Sequence, residues 1–335
     1  MNRPVSLRAY CATAGYTLVE MLVATALTLM LMGAVVAMFG RVSEGITDSR
    51  AMLEAAERLR LAATRLQMDL SGVTVTLANP WCRPENNLGY FECIEGPVVG
   101  SASVVNPKTG SADPTMGDYD DVVMFTTRST GRPFVGPSGQ SDVAEVVWFV
   151  NSNDLTLHRH VELVGTSAAN TLGELTKRER RLAHDSATFP FPFNVSKLPT
   201  LADDIILTNV IGFDVKAWDP GAGAYVDLGG TTPVAAVTFA GNGQPNSGLA
   251  TGTTRVYSTW PTHYEYVGTS SNDSQAGRAV NGFDDSGNGI VDSAAELITA
   301  PPYPYPLRGI QVKIRVFEPD SQQVREVTVV QDFLP

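Results

Sequence analysis

Ala14-Gly15-Tyr16-Thr17-Leu18-Val19-Glu20-Met21-Leu22 opens a long apolar run and places a single carboxylate inside its first two turns. From residue 21 to residue 40 no side chain carries a formal charge, and a stretch of about 20 such residues spans the hydrocarbon core of a bilayer as a helix. One acid, Glu20, therefore enters the membrane with the helix. A carboxylate at the bilayer centre costs about 2.5–3.5 kcal/mol on insertion scales, so an intramembrane acid marks a functional site and needs a partner. An N-terminal amine would serve.

Two cationic residues, Arg3 and Arg8, precede the run, and the small pair Ala14-Gly15 lies before it. In an ordinary secretory signal the small-residue cleavage site follows the apolar region, which is then discarded. Here a cut after Gly15 keeps the whole helix and exposes Tyr16 as a new N-terminus. The segment resembles the class III leader of type IV pilins and type II secretion pseudopilins, in which Gly, an aromatic, Thr, Leu, any residue and Glu follow one another. Gly15, Tyr16, Thr17, Leu18 and Glu20 match it, with Tyr16 where Phe is commonest. The resemblance implies that a membrane-embedded prepilin peptidase cuts after Gly15 and N-methylates Tyr16. It also implies that Glu20 pairs with the N-terminal amine of a neighbouring subunit when helices stack into a fibre. A carboxylate and an ammonium that are each costly alone in hydrocarbon become tolerable at contact distance and set the register of an assembly held by apolar packing. The alternative is a plain signal anchor that contains a Glu.

Loss of Arg3 and Arg8 takes the formal charge from −11 to −13. Residues 41–70 carry equal numbers of acids and bases, so the acidity lies beyond residue 70. Such a domain is a poor match for phosphate-backbone binding, which uses clustered Lys and Arg, and no direct nucleic-acid partner is expected. Cys11 goes with the leader, leaving Cys82 and Cys93. Two cysteines in an exported chain are expected to pair, which would stabilise the fold by roughly 3 kcal/mol in an oxidising compartment such as a periplasm; two free thiols are the alternative.

Beyond Arg41 the periodicity stays helical, with Met52, Ala56, Leu59, Ala63, Leu66 and Leu70 at alternating spacings of four and three and an i,i+4 pair between Glu54 and Arg58. One helix is predicted over 17–71, with Gly33 and Gly40 tolerated inside it. Strands are predicted at 121–127, 144–150, 155–161, 205–219, 232–240, 309–318 and 324–333. The last two alternate cleanly around Pro319-Asp320-Ser321 and read as a terminal hairpin, while 79–118 and 241–306 read as loops. The fold class is α+β, a long N-terminal helix packed on a mostly antiparallel sheet, which is the pilin layout. The expected divisions are a leader at 1–15, a membrane or fibre-core helix at 16–40, its amphipathic continuation at 41–71 and a periplasmic domain at 72–335.

The strand order looks like the J-type minor pseudopilin of type II secretion and is similar to the W-type minor pilin of type IV pili, whereas 241–306 has no counterpart in a minimal member. Within that insert, oxygen groups at Asp284, Ser286, Asn288 and Asp292, a turn at Gly289 and the carbonyl of Ile290 match a calcium loop. Ala295 stands where the bidentate acid belongs, and Glu296 falls one residue late. Two readings stand side by side, a Ca²⁺ loop and an acidic surface turn.

His158 and His160 share a strand face and read as satisfied surface residues, the run 174–181 as a solvated turn, and 301–306 as a polyproline-like connector. No P-loop, dinucleotide fingerprint, nucleophile elbow or zinc motif occurs. The resemblance thus implies a non-enzymatic subunit anchored once in the inner membrane and incorporated near the tip of a periplasmic fibre. Its implied partners are the prepilin peptidase, other minor and major subunits and the assembly platform. A type IV minor pilin for adhesion, motility or DNA uptake is the near alternative, and an anchored periplasmic hydrolase the distant one.

Overall fold

The computed structural model describes residues 15–78, 81–98, 104–186, 191, 193–202, 204–230, 249, 255–261, 288–291, 303 and 305–333. A single helix, α1 (Leu18–Ser71), begins the described chain. Its start is built by a capping box. The Thr17 backbone N–H donates to Glu20 Oε2 at 3.2 Å, and the Glu20 N–H donates to Thr17 Oγ1 at 3.2 Å, so two N–H groups without helical partners are each satisfied by the other residue's side chain.

The chain divides into two compact units, residues 1–52 and 53–335. In the first, every described residue as far as Thr47 is exposed. The best 18-residue window has a mean hydropathy of 2.3 and none of it is buried, so this helix is long and apolar enough to cross a membrane. Its hydroxyls are satisfied internally, Thr25 donating to the carbonyls of Met21 and Leu22 and Thr28 to that of Ala24. Hydrocarbon requires this, because it offers no water to bond them.

In the second unit the rest of α1 buries Ala55, Leu59, Ala62, Ala63, Leu66, Asp69 and Leu70. The stripe differs from prediction by one position near its start, where Ala55 is buried and Ala56 is exposed, and by a carboxylate at its end. The helix stops where Gly72 meets the sheet: a Cβ there would lie 2.2 Å from the Arg128 carbonyl oxygen. The Arg128 N–H donates to the Gly72 carbonyl at 2.7 Å, and Thr127 Oγ1 donates to the Asp69 carbonyl at 2.6 Å.

Among the described residues ten strands form two main sheets, β1 (Phe91–Ile94), β2 (Val122–Arg128), β3 (Val143–Asn151), β4 (Thr156–Leu163), β5 (Ile205–Leu207), β6 (Val210–Asp219), β7 (Ala224–Val226), β8 (Val256–Ser258), β9 (Gly309–Glu318) and β10 (Gln323–Asp332). The larger sheet runs β5-β4-β3-β2-β1-β8 and the smaller β7-β6-β9-β10, all antiparallel. Short ribbons add to them, including a parallel pair between Trp81–Cys82 and Trp260–Pro261. The fold is thus α+β with a mostly antiparallel β domain.

The period of two along each strand divides the core. Val123, Phe125, Val146 and Trp148 join Leu59, Leu66 and Leu70 of the helix and Phe213, Val215, Val312 and Ile314 of the smaller sheet in one cluster. Val122, Met124, Val147 and Phe149 face the other way, under Leu172, Leu175, Leu198 and Leu201. The larger sheet is therefore covered on both faces.

Several expectations are corrected. The strand predicted over 205–219 is two strands in different sheets, because Asn209 adopts a left-handed φ of 55° and carries the chain from β5 to β6. The predicted loop 79–118 contains β1, which lies between β2 and β8 in the larger sheet. Its central Glu92 interrupts the apolar run that marks a strand. The predicted insert 241–306 contains β8 and the fully buried Trp260 and Tyr303, so part of it is core. His158 is buried and stacks on Phe149 at 5.4 Å. In the run 174–181, Arg178 and Arg181 are buried against acids and aromatic rings. The strand predicted at 232–240 lies outside the described residues. The predicted terminal hairpin is present, with Gly309 opposite Asp332 through Glu318 opposite Gln323.

Candidate functional site

Two places gather functional chemistry. The first is the helix start. Gly15 has nothing within 4 Å of where a Cβ would stand, and Tyr16 is 78% exposed. Glu20 is exposed as well, and the Thr17 N–H and Oγ1 both bond its Oε2, at 3.2 and 3.3 Å. The carboxylate thus has a local structural use, and it stands at the edge of an uncharged surface.

The second place was not anticipated. Glu95 follows β1, Asp118, Asp120 and Asp121 precede β2, Asp214 lies in β6 and Asp227 follows β7. The two sheets come together here: the Phe213 N–H donates to the Asp118 carbonyl at 2.6 Å, and the Gly117 N–H to the Ile211 carbonyl at 2.7 Å. Asp121 fastens the seam with both carboxylate oxygens, Oδ1 accepting from the Gly96 N–H at 2.9 Å and Oδ2 from the Val215 N–H at 2.6 Å. A Cβ at Gly96 would fall 2.3 Å from the Asp120 carboxylate, so any larger residue there would displace Asp120.

Glu95, Asp118 and Asp121 are 1%, 5% and 0% exposed, and each offers an oxygen within 4.8 Å of the other two. Glu95 Oε2 accepts from the Leu228 N–H at 3.3 Å, while its Oε1 has no donor and the Asp118 carboxyl, with no N–H donor to either oxygen, bonds the neighbouring Asp120 carboxyl. Positive charge comes from Lys216, paired with Asp214 and Asp227, and from Arg255, which donates to the Gly96 carbonyl at 2.9 Å. Burial first, and the neighbouring acids next, raise the carboxyl of Glu95 to about 10 and that of Asp118 to about 9. Burial lifts Asp120 to about 6 against the Val98 N–H that bonds it, and holds Asp121 well above the usual carboxylate range. Chemically this is an all-oxygen cluster of hard ligands in a buried seam.

A third buried acid group has a structural character. Glu92 is opposed by burial but is held at about 2 by His184, 2.8 Å from its Oε2, and by Arg181 at 3.1 Å, with help from Arg178. Arg178 lies over the Trp260 ring and Arg181 over Tyr90, at 4.1 and 4.2 Å from the centroids. Next to it, Glu145 accepts from the Tyr90 hydroxyl and from the Leu182 N–H, near Arg181 and Glu162. Burial outweighs those bonds and raises its carboxyl from 4.5 to about 7. Between those values the folded state binds more protons than the unfolded one. This contribution to stability is therefore fully present below about pH 4.5 and is lost as pH rises through about 7. Urea unfolding at pH 5 and pH 7.5 should show the wild type losing on the order of 1–3 kcal/mol relative to Glu145→Gln, whose amide oxygen still accepts both bonds. Parallel pH profiles for the two proteins would refute it.

Cys82 and Cys93 are both buried with free thiols, so the expected bridge is not formed. Each is held by a separate ladder, Cys82 opposite Pro261 in the parallel ribbon and Cys93 between Val123 and Tyr257 in the larger sheet. Burial pushes both thiols up, and Asp121, Glu95 and Glu92 push Cys93 further. In the predicted calcium loop, Asn288 Oδ1 accepts from the Ile290 N–H at 2.8 Å and Gly289 has a φ of 82°. Asp284, Ser286, Asp292 and Glu296 lie outside the described residues.

The acidic seam had one legible signal, three acids within Asp118-Tyr119-Asp120-Asp121 just before a strand. Glu95, Asp214 and Asp227 come from distant segments, and only the fold unites them. Comparison with family models, with curated proteins and with solved structures finds no match to this chain.

Proposed function

We propose that this protein is a membrane-anchored subunit of a pilin-like fibre, with the β domain carried on the periplasmic side and the N-terminal helix serving first as anchor and then as fibre core. The supporting observation is the continuous helix Leu18–Ser71, with an uncharged, fully exposed surface over residues 21–40 and a face buried in the β domain over its last turns. An apolar surface of this size is not stable in water and needs lipid or other helices around it. A fibre subunit uses both in turn. The Gly15-Tyr16-Thr17-Leu18-x-Glu20 string, at the head of that surface, supplies the cut that frees an amine beside Glu20. Secretion pseudopilus and type IV pilus remain the two settings for such a subunit, with the prepilin peptidase, neighbouring subunits and assembly platform as partners.

Intact-mass spectrometry of the full-length chain co-expressed with a prepilin peptidase should find a chain beginning at N-methylated Tyr16. Gly15→Lys should leave the precursor uncut in the membrane. A wild-type chain retaining Met1, or cut beyond residue 35, would overturn the proposal.

A further inference from the structure

We propose that Glu95, Asp118 and Asp121 hold one Ca²⁺ ion inside the β domain, at the seam between its two sheets. The geometry comes first: three carboxylate oxygens within 4.8 Å of one another can all reach a cation whose oxygen bonds are 2.3–2.6 Å. The second, independent observation is that buried oxygens there lack partners. Glu95 Oε1 has no donor although the residue is 1% exposed, and the Asp118 carboxyl, 5% exposed, meets another acid, Asp120, with no N–H donor to either oxygen. Buried polar atoms are nearly always satisfied, so orphaned ones indicate a missing ligand.

The rest of the seam is built as a support for that ligand. Asp121 is fixed by two backbone N–H groups, and the close approach at Gly96 sets Asp120 beside Asp118, where backbone bonding from Val98 at 3.1 Å orients it. Such outer contacts hold ligating carboxylates in place. Lys216 makes its ion pairs with Asp214 and Asp227, and its charge acts on Glu95 more weakly than the neighbouring acids do. Ligand type selects a hard cation, since no nitrogen or sulfur is offered. A cluster of protein carboxylates suits Ca²⁺ better than Mg²⁺, because Mg²⁺ dehydrates reluctantly and is rarely held by protein ligands alone. The ion would tie together the segments around Glu95 and Asp118, more than twenty residues apart in sequence, and so brace the junction of the two sheets.

The test is calorimetry with CaCl₂ on the detergent-solubilised full-length protein after EDTA treatment and dialysis. One Ca²⁺ per chain is expected at this site, with at least tenfold weaker binding of Mg²⁺ and a rise in Tm on adding Ca²⁺. The double variant Glu95→Gln, Asp118→Asn should lose this binding at least 100-fold, whereas Asp284→Asn, Asp292→Asn should retain it. Because the amides keep the shape and hydrogen-bonding capacity of the carboxyls, the double variant should fold as stably as the wild type in EDTA; Tb³⁺ luminescence sensitised by Tyr119, on the wild type alone, provides a readout that needs no variant. No heat and no Tm change with millimolar Ca²⁺ would overturn the proposal. So would binding that survives Glu95→Gln, Asp118→Asn, or a preference for Mg²⁺.

Discussion

Replacing Asp69 with Ala will lower the unfolding free energy of the second unit by about 3–5 kcal/mol, the cost of leaving a buried charge without its partner. Asp69 is 4% exposed at the end of the helix stripe. Its Oδ2 accepts from Arg159 Nε at 2.6 Å and from Trp148 Nε1 at 3.0 Å, and its Oδ1 accepts from Arg159 Nη2 at 2.9 Å. The pair is bidentate, the strongest form that an Arg–carboxylate contact takes. Removing the acid strands the Arg159 guanidinium, itself 3% exposed, together with the indole N–H of Trp148. Asp69→Asn keeps an acceptor and should cost less. The pair itself need not stabilise the fold relative to apolar residues, so Asp69→Leu combined with Arg159→Met should recover much of the loss. Urea unfolding of the three variants decides it: a loss below about 1 kcal/mol for Asp69→Ala would show that water reaches Arg159 and the bridge is dispensable.

The elements visible in the sequence are those whose pattern is purely apolar. The helix is written in an uncharged run and a three-four spacing, and the terminal hairpin in Ile310, Val312, Ile314 and Val316 facing Val327 and Val329. What escaped notice has buried charge in common. Asp69 reads as the polar end of an amphipathic helix, yet Arg159 ninety positions later brings it into the core. Glu92 breaks the strand pattern of Phe91–Ile94 and is neutralised by Arg181 and His184. Arg178 and Arg181, both buried, are what made 174–181 look solvated. The break after Leu207 escaped for another reason: Asn209 in a left-handed conformation is a one-residue event inside an otherwise continuous strand pattern. The acidic seam combines both difficulties, being charged and assembled from four separate segments. A buried charge is legible only with its partner, and the partner is a product of the fold.

Glu20 presents the opposite case, a residue prominent in sequence whose local contacts offer a modest explanation of their own. Through the capping box it satisfies the Thr17 N–H, a contribution of about 1 kcal/mol to the helix start. Pairing with a neighbour's amine in a nonpolar fibre core is a separate role that depends on charge. Glu20→Gln separates the two, because Gln serves a capping box as Glu does but carries no charge. If the proposed pairing governs assembly, Glu20→Gln will be cut after Gly15 and inserted normally, yet will enter fibres at least about tenfold less than the wild type, equivalent to roughly 1.4 kcal/mol or more. Glu20→Ala will be no more than slightly worse. Co-expression with a major pilin, followed by immunoblotting of sheared fibres against the membrane fraction, measures the ratio. Wild-type incorporation of Glu20→Gln alongside poor incorporation of Glu20→Ala would assign Glu20 to the cap alone, and the register of the fibre would then have to come from the apolar surface between Leu18 and Phe39.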